Sequence, residues 1–203
     1  RCLRMRHREN GDTIIEVLFA ITVFSLIAVG GLSIMNQGTA LAQRALEINL
    51  VRQQMDTQAD VLRYLNQSYV AEFGKDGFAT QRWNKILNDR AVASAQSFDQ
   101  VADPQGCNIP TRSFALDPTK LNDDPVLTQP DGLLSNPSTY AQLRYDSLSR
   151  SEGIWVQAVE GNVANGRPGY HDFHIRACWF SPGQSVPMTL GTIVRLYEPP
   201  YAR

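Results

Sequence analysis

The sequence predicts an α+β protein in which one long N-terminal helix, membrane-spanning and then amphipathic, packs on a small C-terminal antiparallel β-sheet. An apolar run with a single charge occupies residues 14–35. A proline-free stretch with helical spacing of apolar residues continues to about residue 73. Three alternating segments separated by Gly/Pro turns lie within 154–197. With 203 residues, 43% hydrophobic and 19% charged, the chain has the composition of a folded protein rather than a disordered one.

The apolar run 14–35 predicts a transmembrane helix. A helix of this length is about 33 Å long, against about 30 Å for the hydrocarbon core of a bilayer. Four arginines within the first eight residues precede it, so the positive-inside rule places the N-terminus in the cytoplasm. The alternative is a cleaved secretory signal ending at Ala42, since Ala40-Leu41-Ala42 matches a small-x-small cleavage pattern. Such signals have apolar regions of only about 7–15 residues, without a carboxylate.

Residues 36–73 predict an amphipathic extension of the same helix. Apolar and small residues recur at steps of three, four and seven, which places them on one stripe: Leu41, Ala45, Ile48, Met55, Ala59, Leu62 and Tyr69. We therefore expect one helix over 12–73, roughly 90 Å long, with Gly30, Gly31 and Gly38 as its weak points. A short juxtamembrane coiled coil in a single-pass sensor is the alternative.

Residues 74–203 predict one globular domain. A break at 74–77 precedes a short helix over 80–90, and the proline-rich region 99–150 is predicted to be an irregular loop. The segments 154–159, 173–180 and 188–197 then predict an antiparallel meander, whose apolar face would pack on the outer half of the long helix. An irregular region this long is expected to be functional, or to be held by a covalent or metal link.

The N-terminal segment resembles the type IV prepilins and pseudopilins over residues 1–40. The resemblance rests on a basic leader ending in Gly11, on the apolar helix that follows, and on Glu16 as the fifth residue after that glycine. It implies that prepilin peptidase removes the leader 1–11 between Gly11 and Asp12 and methylates the new amino terminus of Asp12. It also implies that Glu16 serves assembly by pairing with that terminus within or between subunits. The family usually has an apolar residue where this chain has Asp12.

This resemblance implies a structural rather than a catalytic function. We expect a minor or specialised subunit of a type IV pilus-like filament that serves adhesion, motility, DNA uptake or secretion. Its expected partners are other pilin subunits, prepilin peptidase, the inner-membrane assembly platform and, before assembly, membrane lipid. It would be a single-pass membrane protein with a cytoplasmic N-terminus, and then part of an extracellular filament. The alternative is a membrane-anchored adhesin or receptor that does not polymerise.

The cysteines predict one disulfide. Cys2 would leave with the leader, so Cys107 and Cys178 remain as a pair on the exported side, where disulfides persist. The alternative is two free buried thiols.

The sequence contains no catalytic motif, and we expect neither enzymatic activity nor a cofactor or metal. His171 and His174 are three apart in a predicted strand, so their side chains point to opposite faces. Asp172 and His174 share a face, and Asn122-Asp123-Asp124 and Asp131 offer oxygens without the spacing of a calcium loop. Removing residues 1–11 takes away four arginines and one glutamate and changes the formal charge from −1 to −4. General nucleic-acid binding is therefore not expected, although a local patch stays open.

Overall fold

The computed structural model describes residues 12–128, 133–135, 137, 139–161 and 169–199. The chain divides into two compact units, residues 1–43 and residues 44–203, and each is described by itself. Gly11 and the rest of the predicted leader lie outside the described residues, as does Asp131.

The described residues form three α-helices, one 3-10 turn and eleven strands. The helices are α1 (Asp12–Ala71), α2 (Phe78–Arg90) and α3 (Phe98–Val101), and the 3-10 turn is Pro118–Lys120. The first strands are β1 (Ala91–Val92), β2 (Ala102–Asp103), β3 (Gly106–Cys107), β4 (Phe114–Leu116), β5 (Val126–Thr128) and β6 (Leu134–Ser135). The others are β7 (Gln142–Tyr145), β8 (Ser149–Glu152), β9 (Ile154–Glu160), β10 (Tyr170–Trp179) and β11 (Met188–Tyr197).

The helix α1 is 60 residues long and passes through Gly30, Gly31 and Gly38 without a break. It ends at Ala71, two residues before the predicted limit. The chain leaves the helix through Gly74, whose φ of 79° lies in the left-handed region that glycine adopts without steric cost. The glycine therefore allows the chain to turn away after the helix has ended.

The main sheet has six strands. Its order is β11-β10-β9-β4-β5, and β1 pairs with β9 in parallel. The strands β9, β10 and β11 form the predicted antiparallel meander, with Phe173 opposite both Ala158 and Val194. The expectations of a meander and of an α+β fold are thus confirmed, but the sheet extends beyond residues 154–197 because β1, β4 and β5 join it.

The core of the second unit lies between one face of this sheet and residues 51–69 of α1. The buried stripe of the helix contains Val51, Met55, Ala59, Leu62, Leu65 and Tyr69. Leu41 and Ala45, at the start of the predicted stripe, are exposed, and burial against the sheet starts only near Ile48. Trp83 of α2 stacks on Tyr69 with ring centroids 5.8 Å apart and extends the core to Phe173.

The region 99–150 corrects the expectation of an irregular loop. Its prolines limit the strands to two to four residues, but short strands still pair between them. The strands β4 and β5 form a hairpin that joins the main sheet, and β6, β8 and β7 form a separate sheet of three strands. Backbone hydrogen bonds between these short strands order the described part of this region.

Candidate functional site: an exposed apolar helix

The first half of α1 presents a large apolar surface. The large apolar side chains between Ile14 and Met35 are 37–74% exposed. Among the described residues this is the single helix that is long and apolar enough to cross a membrane. Residues of this kind are normally buried, and a large exposed apolar surface marks a site of contact with lipid or protein.

Two hydroxyl side chains of this segment bond to the helix itself. Thr22 donates its hydroxyl to the carbonyl of Phe19 at 2.7 Å, and Ser25 donates to the carbonyl of Ile21 at 2.7 Å. Both hydroxyls are therefore satisfied without water, as a hydrocarbon environment requires. They add little polarity to the exposed surface.

Glu16 is the charged residue of this segment. It lies one helical turn after Asp12, the first residue of α1, and its side chain is exposed. It makes no hydrogen bond or ion pair with any described residue. The predicted cleavage between Gly11 and Asp12, the methylation of Asp12 and the pairing of Glu16 with a freed terminus all stay predictions, since Gly11 lies outside the described residues.

Three glycines of the helix, Gly30, Gly31 and Gly38, make no close contact with another described residue that would require glycine. A Cβ added to Gly30, Gly31 or Gly38 would meet nothing within 4 Å. Glycine in a helix interior costs about 0.5–1 kcal/mol relative to alanine. The contacts of the described chain therefore give no reason for this cost.

The domain carries the predicted disulfide. Cys107 of β3 is bonded to Cys178 of β10, with 5.8 Å between their Cα atoms. Both cysteines are buried with Val101 and Trp155 on the sheet face opposite α1. The bond joins the proline-rich region to a central strand, as the cysteine pattern predicts.

Three of the polar residues considered as ligands, His171, Asp172 and Asp124, are engaged with other side chains. Nε2 of His171 is 2.9 Å from Oε1 of Glu198, and Arg195 donates two hydrogen bonds of 2.7 Å to Asp172. Lys85 and Asp124 form an ion pair of 2.5 Å. No three His, Cys, Asp or Glu side chains of the described ranges form a group that could hold a metal ion.

Several pKa values depart from their ordinary range. The hydrogen bonds from Arg195 lower the pKa of Asp172. Burial lowers the pKa of His174, and the nearby charge of Arg176 adds to this effect. Burial alone would raise the pKa of Asp117, but hydrogen bonds from Ser149 and Thr119 outweigh it and lower that pKa. These groups support the fold and do not converge on a cleft.

The sequence analysis missed Gln58, a polar residue on the buried stripe of α1. It is fully buried. Its Nε2 donates to the carbonyl of Leu116 at 2.7 Å, and its Oε1 accepts the N–H of Leu116 at 2.7 Å. A glutamine between Met55 and Leu62 was the available signal, because a polar residue on an apolar stripe must find partners in the core.

At the level of class, the chain is an α+β protein with a membrane-type helix near its N-terminus and a disulfide-bonded domain. Comparison with known protein families, with curated protein sequences and with solved structures finds no match in any of the three.

Proposed function

We propose that this chain is a subunit, minor or specialised, of a type IV pilus-like filament. Prepilin peptidase would remove residues 1–11, and the helix would first lie in the membrane with its N-terminus in the cytoplasm. The assembly platform would then transfer the subunit into a filament, where the apolar helices of neighbouring subunits replace lipid. The filament would serve adhesion, motility, DNA uptake or secretion.

The exposed apolar surface of residues 14–35 is the observation that supports this proposal most. The same helix buries its stripe from Val51 to Tyr69 in the domain but leaves the large side chains of 14–35 uncovered. A membrane anchor needs such a surface only toward lipid. A filament subunit needs it twice, first toward lipid and then toward other helices.

Glu16 has a different requirement in each of these two environments. Near the end of a span, water and headgroups reach a carboxylate, so its cost in the bilayer is small. Among packed apolar helices an unpaired carboxylate costs several kcal/mol, unless a cation lies beside it. The amino terminus freed at Asp12 would supply that cation, from the same subunit or from a neighbour.

The test compares Glu16→Ala with Thr22→Val in the producing cell. Thr22 is a matched control because its hydroxyl bonds only to its own helix. We expect both variants to be membrane-inserted and to have a mature N-terminus at Asp12 by mass spectrometry. In sheared filaments, Thr22→Val should be present at the wild-type ratio to the membrane pool, and Glu16→Ala should be strongly depleted.

Three results would contradict the proposal. A mature chain starting at Gln43 would establish a secretory signal instead. Absence of the wild-type chain from sheared filaments would favour an anchored adhesin or receptor that does not polymerise. Glu16→Ala at the wild-type ratio in filaments would leave Glu16 as an interfacial acid without a role in assembly.

A further inference from the structure

The strand β11 is a long, open edge of the main sheet. It has ten residues and pairs with β10 along its whole length, and no other described strand lies beside it. The opposite edge, β5, has three residues. Long edge strands are usually blunted by lysine, proline or a bulge, because free backbone groups pair readily with another strand. Within Met188–Tyr197 there is no lysine or proline, and the register with β10 has no bulge.

The hydrogen-bond pattern shows which backbone groups face outward. The N–H of Glu198 donates to the carbonyl of Gly169 at 2.8 Å, immediately next to the pair Tyr170–Tyr197. In an antiparallel ladder hydrogen-bonded pairs alternate with non-bonded pairs. The even-numbered residues of β11 therefore bond to β10, and the odd-numbered ones direct their N–H and C=O to the free edge. The carbonyl of Tyr197 already accepts a hydrogen bond from Nδ2 of Asn66 at 3.3 Å.

The helix reaches this edge at Tyr197, through Asn66, but leaves it open along residues 190–192. Beside it lies an open groove of about 250 Å³, lined by Arg52, Met55, Asp56, Leu190, Gly191 and Thr192. The odd-numbered side chains lie on the sheet face away from the helix, and among them Ile193 is 59% exposed. Arg195 is ion-paired with Asp172, which reduces but does not remove its charge at the edge.

We propose that β11 is an interaction surface for a second copy of this chain, and that the two β11 strands pair antiparallel about a two-fold axis at Ile193. In this register Ile193 faces Ile193 of the partner subunit, which joins the most exposed aliphatic side chains of the two edges. Arg195 faces Gly191 of the partner subunit, which has no side chain of its own, although the ring of Phe98 lies 2.7 Å from where a Cβ of Gly191 would be. The pairing adds about six backbone hydrogen bonds over residues 191–195.

Other symmetric registers fit less well. An axis at Arg195 sets two arginines against each other, and like charges directly opposite destabilise a sheet. An axis at Gly191 places Ile193 opposite Thr189 of the partner subunit, and an axis at Thr192 places it opposite Gly191 of the partner subunit. In both registers the contact between the two Ile193 side chains is lost. The axis at Ile193 separates the two arginines by about 14 Å along the edge. In the register centred on Ile193, β11 is complementary to another β11 strand, and for this reason the proposed partner is a second copy of the chain.

Cysteine cross-linking of the full chain tests this register. In the paired strands the Cα atoms of residue 193 and its symmetry mate are about 5.5 Å apart, within the reach of a disulfide. The two copies of residue 189 are about 27 Å apart, whereas residue 189 of one copy faces residue 197 of the other. Ile193→Cys, Thr189→Cys and Tyr197→Cys are each made with Cys2→Ser, purified in detergent and oxidised with copper phenanthroline.

We expect Ile193→Cys to give about ten times more disulfide-linked dimer than Thr189→Cys or Tyr197→Cys alone, because a disulfide requires close Cα atoms. A mixture of the Thr189→Cys and Tyr197→Cys chains should give a dimer that neither forms by itself. Adding Ile193→Lys to both chains should abolish it, since a charge at the centre of the edge opposes pairing. This mixture keeps the test valid if Ile193→Cys fails to fold.

Monomer at all positions, or equal dimer yields at the three positions, would overturn the proposal. So would a cross-link on the producing cell, at Ile193→Cys, to a chain of a different mass. The result is independent of filament formation, because the Glu16→Ala chain, held in the membrane, should form the same dimer.

Discussion

The buried amide of Gln58 offers the sharpest test of the fold. Gln58→Met keeps the length and volume of the side chain but removes both hydrogen bonds to Leu116. The N–H and the carbonyl of Leu116 then stay buried, and each unsatisfied group costs about 1–3 kcal/mol. The apolar end of methionine offsets about 1–2 kcal/mol of this loss. We expect the free energy of unfolding to fall by about 2–4 kcal/mol.

Tryptophan fluorescence in urea measures this change in the domain alone. All three tryptophans of the chain, Trp83, Trp155 and Trp179, are buried in the second unit. The full chain in detergent micelles therefore reports on the domain even though the micelle holds the apolar helix. Gln53→Met on the exposed side of α1 is the matched control, with an expected change within about 0.5 kcal/mol.

Gln58→Glu gives the same test a pH signature. A carboxylate can accept the N–H of Leu116 but is repelled by its carbonyl, whereas the protonated acid can donate to that carbonyl. Burial thus raises the pKa of the new side chain in the folded state. Its stabilisation is present below about pH 4.3, the unfolded value, and is lost as the pH rises through the folded pKa. A loss below about 0.5 kcal/mol for Gln58→Met, or a Gln58→Glu variant without this pH dependence, would refute the reasoning.

Three further predictions concern the disulfide, the titration of the domain and the glycines of the helix. Replacing Cys107 and Cys178 together by serine should lower the free energy of unfolding by about 4 kcal/mol in urea titrations, and equal midpoints with and without reductant would contradict this. Burial lowers the pKa of His174 in the folded state. Its contribution to stability is therefore present above about pH 6.5, the unfolded value, and is lost as the pH falls through the folded pKa. His174→Gln should remove this pH dependence of the free energy of unfolding. Gly38→Ala should stabilise the helix locally by about 1 kcal/mol, because alanine favours a helix and its methyl group meets no neighbour here. Amide hydrogen exchange around residue 38 should then slow about fivefold. Unchanged exchange would show that glycine does not limit the stability of the helix at this position.

Periodicity and composition were sufficient for the elements with strong local patterns. The apolar run 14–35, the stripe from Met55 to Tyr69 and the three meander strands each contain their own signal, and the fold class follows from them. The cysteine pair was predictable because only Cys107 and Cys178 lie beyond the predicted leader.

The short strands were not predictable because their pairing depends on distant residues. The strand β4 has three residues, and its place in the sheet depends on β5, on β9 and on Gln58, whose partner Leu116 lies 58 residues away. No window of local sequence contains that information. For the candidate site the limit is different: Gly11 and Glu16 are clear in the sequence, but the roles proposed for them depend on partners outside the chain.

The separation along the chain between the contacts of α1 and their partners sets the order in which this domain can fold. Glu47 accepts a hydrogen bond from Trp179, 132 residues later, and Asn66 bonds to Tyr197, 131 residues later. Such distant contacts form late and slowly. The ribosome has to complete almost the whole domain before β10 and β11 can complete the core that contains Val51 and Met55. Until then the stripe of α1 is bare, and a chaperone or the membrane surface has to protect the growing chain from aggregation.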